Sequence, residues 1–122
     1  MAHTPNRLQV VERADALTVS VHIYAKRHAR RLAELSPGLR NQLLRSAVSI
    51  SLNLSEACGY HAEGRTMSFL DIAIGSCNET ERILTLASKL GVRDPGTNTL
   101  LADIGTVRAL IYGFRRHLQR RS

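Results

Sequence analysis

Apolar side chains recur along the chain at intervals of three and four residues, the period of a helix with one face turned inward. In the first such segment Val10, Ala14, Leu17, Val21, Tyr24, Leu32 and Leu35 keep that spacing. Thr4 is placed to cap it, and Pro5 falls in its first turn, where a missing N–H does no harm. Ser36-Pro37-Gly38 ends it and opens a second helix, with Leu43, Ala47, Ile50, Leu54 and Ala57 inward and Gly59 as its stop. A third starts near Gly64–Thr66 and runs to Leu90, where Gly91 suits a left-handed C-terminal cap and Pro95 blocks continuation. Thr97 to Thr99 can cap a fourth, in which Leu100, Ile104, Val107, Ile111, Phe114 and Leu118 alternate by threes and fours. The pattern predicts one domain, 1–122, with helices over about 5–35, 37–58, 65–90 and 98–120. Short connections make neighbouring helices antiparallel, so the expected fold is all-α, an up-down-up-down four-helix bundle.

The second and third helices carry more apolar surface than one core uses. Leu44, Val48 and Leu52 adjoin the inward stripe of the second. On the third, Phe69, Ile72, Ala73, Ile83, Ala87 and Leu90 read as core, with Leu70, Ile74, Cys77, Leu84 and Leu86 on an adjoining face. A helix apolar around most of its circumference must be covered on two sides, and the simplest second cover is another copy of the chain. A homo-oligomer is therefore expected. Polar residues interrupt these helices at Ser49, Asn53 and Glu56, on one face of the second. A hairpin turning near His61–Ala62 would set Arg45 level with Glu79, Asn53 with Asp71 and Glu56 with Ser68. Together with Ser76, these are read as polar rungs between helices, a device that fixes register and oligomeric state when every group is paired.

Composition sharpens the picture in two ways. The chain has 122 residues and a net charge of +7, with 15 Arg against 2 Lys. The excess lies in the first and last helices: residues 97–122 hold five bases and one acid, whereas residues 61–96 hold four bases and five acids. Lys26, Arg27, Arg30 and Arg31 crowd the end of the first helix, and Arg115, Arg116, Arg120 and Arg121 the end of the last. In an antiparallel bundle these clusters fall at opposite ends, the first joined by Arg40, Lys89 and Arg93, the second by Arg7 and Arg65. Arginine rims of this kind suit the phosphates of RNA or DNA through charge-assisted hydrogen bonds. With no Trp, three Tyr and two Phe, base stacking is not expected to dominate, and binding would be salt-dependent and weakly sequence-specific. The same rims could dock an acidic protein such as a polymerase; cations at helix C-termini also complement the helix dipole.

No catalytic chemistry is legible. Paired-metal bundles use Glu-x-x-His, and no Glu here is followed by a His three residues on. Cys58, His61 and Cys77 lack a fourth ligand for structural zinc, so no metal or cofactor is expected. Nucleophile elbows and phosphate-cradling glycine loops are missing, which reads as a non-enzymatic protein. The opening residues contain no apolar signal region. The ten uncharged residues between Arg45 and Glu56 fall far short of the roughly 20 that span a bilayer, so the expectation is a cytoplasmic protein with no membrane partner. In that compartment Cys58 and Cys77 are expected as free thiols, and His3, His22, His28 and His117 as solvated side chains.

The central segment then takes on a family likeness. The run from Gln42 through Arg45, Ser49 and Asn53 to Glu56, followed by Phe69 through Asp71 and Ser76 to Glu79, resembles the four-helix-bundle family of 23S ribosomal RNA intervening-sequence proteins. That family includes the accessory variability determinants of diversity-generating retroelements. The resemblance implies a four-helix bundle assembled as a homopentameric barrel. For the retroelement branch it further implies nucleic-acid binding and a reverse transcriptase partner. One departure is local: Ala57, Cys58, Gly59 and Tyr60 stand where the family pattern has glycine, an aromatic, glycine and a basic residue.

Overall fold

A computed structural model of the chain describes residues 7–59 and 61–121. It contains α1 (Arg7–Arg27), α2 (Ala29–Leu35), α3 (Leu39–Ala57), α4 (Glu63–Lys89) and α5 (Thr97–Arg121), with no strand among the described residues. His3, Thr4, Pro5 and Tyr60 lie outside that range. The first predicted helix is thus two helices, broken at His28. The break falls where the His28 ring reaches Asp94, with Nε2 2.7 Å from Oδ2, while packing at a tilt of 54° against Tyr24, 4.8 Å between centroids. This histidine is largely buried, not solvated as its polar neighbours suggest.

The four long helices pack in the cyclic order α1, α3, α4, α5, and α5 closes back on α1. Side-chain contacts give the directions. Thr18 meets Ser51, and the Cys58 thiol, further along α3, meets the carbonyl of Arg7, earlier on α1, so α1 and α3 run oppositely. Ser46 meets Thr80 and Ser49 meets Ser76 across the α3–α4 hairpin. Arg108 meets Glu81 and Arg115 meets Asp71 between α5 and α4. Arg27 reaches Asp94, just before α5, while Arg7 lies over the Phe114 ring near the end of α5. Every neighbouring pair is therefore antiparallel.

The core is the aliphatic stripe that the periodicity predicts. Leu43, Ala47, Ile50 and Leu54 of α3, and Ile104, Val107, Ile111 and Phe114 of α5, are buried. On α4 the core draws on both apolar faces, and Ile83 is buried as expected. Leu70, Ile74, Cys77 and Leu84 join Ala73 and Ala87 in the core, whereas Ile72 and Leu90, expected inside, are half exposed. Both faces of α4 are apolar, so period alone does not choose between them; α5, which docks at Glu81 and Asp71, turns Leu70 and Cys77 inward. No helix among the described residues is long and apolar enough to cross a membrane.

The connections are built as their residues require. Gly91 takes φ 101°, and the Val92 N–H bonds the Ala87 carbonyl at 3.0 Å, the six-to-one bond of a Schellman end. Gly38 takes φ 83° at the tight turn into α3. The start of α5 differs from expectation: the Thr97 hydroxyl is buried without a partner among the described residues. Asp94 supplies the capping instead, its Oδ1 accepting from the Gly96 N–H at 2.7 Å and its carbonyl from the Thr97 N–H at 3.1 Å.

Candidate nucleic-acid interface

The two arginine clusters lie at opposite ends of the helix assembly, since α1 and α5 are antiparallel and each cluster sits on a C-terminal half. At one end Arg27 bonds Asp94 at 3.0 Å, and Arg31 passes close to Gly91 between α4 and α5, which brings the cluster beside Lys89 and Arg93. At the other end Arg7 stacks over Phe114 at 5.4 Å and Arg65 over Phe69 at 5.8 Å.

Within each cluster the side chains divide into those bonded to a carboxylate and those that enter no ion pair among the described residues. Arg115 is committed: its Nε donates to Asp71 Oδ1 at 2.8 Å, joining α5 to α4. Arg27 is held by Asp94, whose carboxylate is 4% exposed. Arg30 and Arg31 share the carboxylate of Glu34 at 3.5 and 3.4 Å, exposed contacts that contribute little to stability. Lys26, Lys89 and Arg93 at one end, and Arg116 and Arg120 at the other, are exposed and enter no ion pair among the described residues. The side chain of Arg121 lies outside the described residues.

Two acids are held in networks of their own, Glu81 partway along α4 and Asp94 at the entrance of α5. Arg108 clamps Glu81 through two bonds of 2.9 and 3.2 Å and also reaches Asn78 at 2.9 Å. The Arg108 hydrogen bonds hold the Glu81 carboxyl below its ordinary value. Asp94 is likewise lowered, first by His28, then by the Gly96 N–H and by Arg27. Helical periodicity marks neither network. Asp94 leaves a signal in the Asp-Pro-Gly run before a helix; Arg108, twenty-seven residues from Glu81, leaves none.

The polar rungs form differently from their expected pairing. Ser49 and Ser76 are joined at 2.7 Å. Asn53 bonds back to the Ser49 carbonyl at 2.8 Å within its own helix, so Asp71 turns to Arg115. Glu56 lies 3.7 Å from His61 rather than on Ser68, which bonds the Gly64 carbonyl. Arg45 and Glu79 are exposed and unpaired among the described residues. The most buried rung is one that no charged residue advertises: Thr80 donates to Ser46 Oγ at 2.8 Å, which donates to the Leu43 carbonyl at 2.9 Å. Small hydroxyls are less conspicuous in a sequence than charges, yet they fit between close helices without the desolvation that buried charge incurs.

Burial pushes the Cys77 thiol up to about 11, and Cys58 is also raised by burial. Among the described residues no group of three His, Cys, Asp or Glu side chains is placed to hold a metal.

Comparison with known proteins locates the chain. A solved structure from Bacteroides thetaiotaomicron VPI-5482, described as a protein of unknown function from the S23 ribosomal protein family, superimposes with a TM-score of 0.81. It shares 21% identity and covers 90% of this chain and 97% of its own, a likeness of fold. No curated protein matches. Residues 6–113 match the sequence profile of a family described as 23S rRNA-intervening sequence protein. With that match spanning most of its length, the chain belongs to the 23S rRNA-intervening sequence protein family.

Proposed function

We propose that the protein is a non-enzymatic, self-assembling helical protein that associates with nucleic acid through the phosphate backbone. The observation that carries this reading is the set of exposed cations at both ends that have no acidic partner among the described residues: Lys26, Lys89 and Arg93, and Arg116 and Arg120. Such side chains contact phosphate without first breaking an ion pair. α1 and α2 act as one interrupted arm, so the chain is a four-helix bundle, and the closed antiparallel packing supports that reading. The resemblance drawn from the central segment favours a homopentamer, in which each set of cations would repeat as a rim. The family description, with its reference to 23S rRNA, favours structured RNA over duplex DNA as the polyanion.

The test is binding of the purified protein to labelled structured RNA and duplex DNA across a salt series. Binding at low salt that weakens steeply as salt rises is the expected result. No binding at low salt to either would overturn the proposal and turn attention to an acidic protein, such as a reverse transcriptase of the retroelement kind.

A further inference from the structure

A cavity of about 380 Å³ opens at the end of the assembly where α3 gives way to α4. Its volume falls within the roughly 300–1,000 Å³ of small-molecule sites. Among its walls are Arg7 from α1, Gly59 and His61 from the α3–α4 connection, and Glu63 and Thr66 from the first turns of α4. Arg7 is exposed and enters no ion pair among the described residues. The His61 side chain is 17% exposed, its ring packed against Phe69 at 5.3 Å, and Arg65 lies over that same Phe69 ring. Its Nε2 stands 3.7 Å from Glu56 Oε2, too far for a hydrogen bond. Gly59 makes room for the ring, because a Cβ there would come within 3.2 Å of Nε2. α4 enters the cavity without a side-chain cap, since Ala62 at its N-cap has no group to accept from the first N–H groups. Thr66 lines the cavity and is 6% exposed, yet its hydroxyl forms no hydrogen bond among the described residues. A buried hydroxyl left without a partner is unfavourable, and the oxygen of a ligand would satisfy it.

We infer that this cavity binds a phosphate monoester, the terminal phosphate of an RNA strand or of a free nucleotide. Arg7, His61, the Thr66 hydroxyl and the first N–H groups of α4 are its donors. A monoester carries about two negative charges at neutral pH, against one for a backbone diester, and every one of those groups donates. The dipole of a 27-residue helix adds positive potential where α4 begins. Glu63 is the acid on the wall, and a carboxylate beside a phosphate site accepts from ribose hydroxyls, which favours a nucleotide over inorganic phosphate. The cavity lies at the same end as Arg116 and Arg120, the cations assigned to the backbone, as the contact of Arg7 with Phe114 shows. The inference deepens the nucleic-acid reading and rests on it for the RNA terminus; seating of a free nucleotide does not require it.

The experiment titrates the full-length protein, by calorimetry and fluorescence anisotropy, with four probes. These are adenosine monophosphate, adenosine, and one short structured RNA prepared either with a terminal phosphate or with a hydroxyl in its place. The monophosphate is expected to bind about tenfold or more tightly than adenosine. Thr66→Val, which keeps the size and removes the hydroxyl, and Arg7→Gln should each weaken it about five- to tenfold with helical circular dichroism unchanged. Arg116→Ala combined with Arg120→Ala, outside the cavity, should leave monophosphate binding as it was. An RNA preference for the terminal phosphate that Thr66→Val abolishes identifies the strand end as the source. Equal affinity for the two RNAs beside tight monophosphate binding identifies a free nucleotide. Salt-dependent RNA binding with no terminal preference and no monophosphate binding would overturn the site and leave the backbone reading standing. Monophosphate binding without RNA binding would overturn the backbone reading and keep the site. Monophosphate binding that neither Thr66→Val nor Arg7→Gln alters would place the ligand elsewhere and overturn the site.

Discussion

Three parts of the fold converge on the side chain of Asp94. One carboxylate takes hydrogen bonds from His28, Arg27 and the Gly96 N–H, tying the α1–α2 break to the entrance of α5. Removing it leaves two part-buried donors, the His28 ring and the Gly96 N–H, without their partner, so Asp94→Ala should lower unfolding free energy by about 1–3 kcal/mol, read by denaturant unfolding. Its carboxyl titrates below the ordinary value of 3.8 in the folded state. The unfolded chain therefore takes up a proton first as pH falls, and the stability contributed at neutral pH is lost below about pH 4. Unfolding followed from pH 7 to pH 3 should show that loss, and Asp94→Asn should flatten it; an unchanged pH profile would rule out the assignment. Cys77, buried with its thiol pushed up to about 11, should resist a disulfide reagent at pH 8 until the protein is unfolded. At this scale the sequence is a poor guide. Periodicity marks which residues turn inward, but it does not say that a histidine after α1 will find an aspartate sixty-six positions later.

Between elements, the α3–α4 hairpin is the most extensive contact, and its seam is made of hydroxyls. Ser46 and Thr80 bond each other in the dry centre of that seam, and each retains a carbonyl within reach, Leu43 for Ser46 and Ser76 for Thr80. Ser46→Ala and Thr80→Val should therefore each lower stability by about 1 kcal/mol. The double variant should cost less than their sum, because neither partner is left facing a hydroxyl without its mate. A thermodynamic cycle returning strict additivity would mean that the two groups do not interact. Helix extents are legible because Gly38, Gly91 and Pro95 punctuate the chain where turns need them. The break at His28 is not, since no Pro or Gly marks it and its origin is a tertiary contact. The inner face of α4 is only half legible, because an evenly apolar helix offers two faces that period cannot rank.

For the whole molecule, the segment charges are readable from sequence, and the antiparallel packing turns them into two basic ends. Sequence leaves open which cations remain available, since ion pairing depends on which helices meet. Arg115 and Arg27 are consumed by contacts with Asp71 and Asp94; Arg116 and Arg120, on the same helix as Arg115, face outward. That division can be read in the slope of log affinity for a structured RNA against log salt. Removing one phosphate partner should lower the slope by about 0.9, the value for a duplex, so Arg116→Ala combined with Arg120→Ala should lower it by about 1.8 and weaken binding several-fold at low salt. Arg27→Ala, which removes a cation already held by Asp94, should leave the slope nearly unchanged. Equal slopes for all three proteins, or a larger decrease from Arg27→Ala than from the α5 pair, would mean that phosphate does not meet the outward-facing arginines.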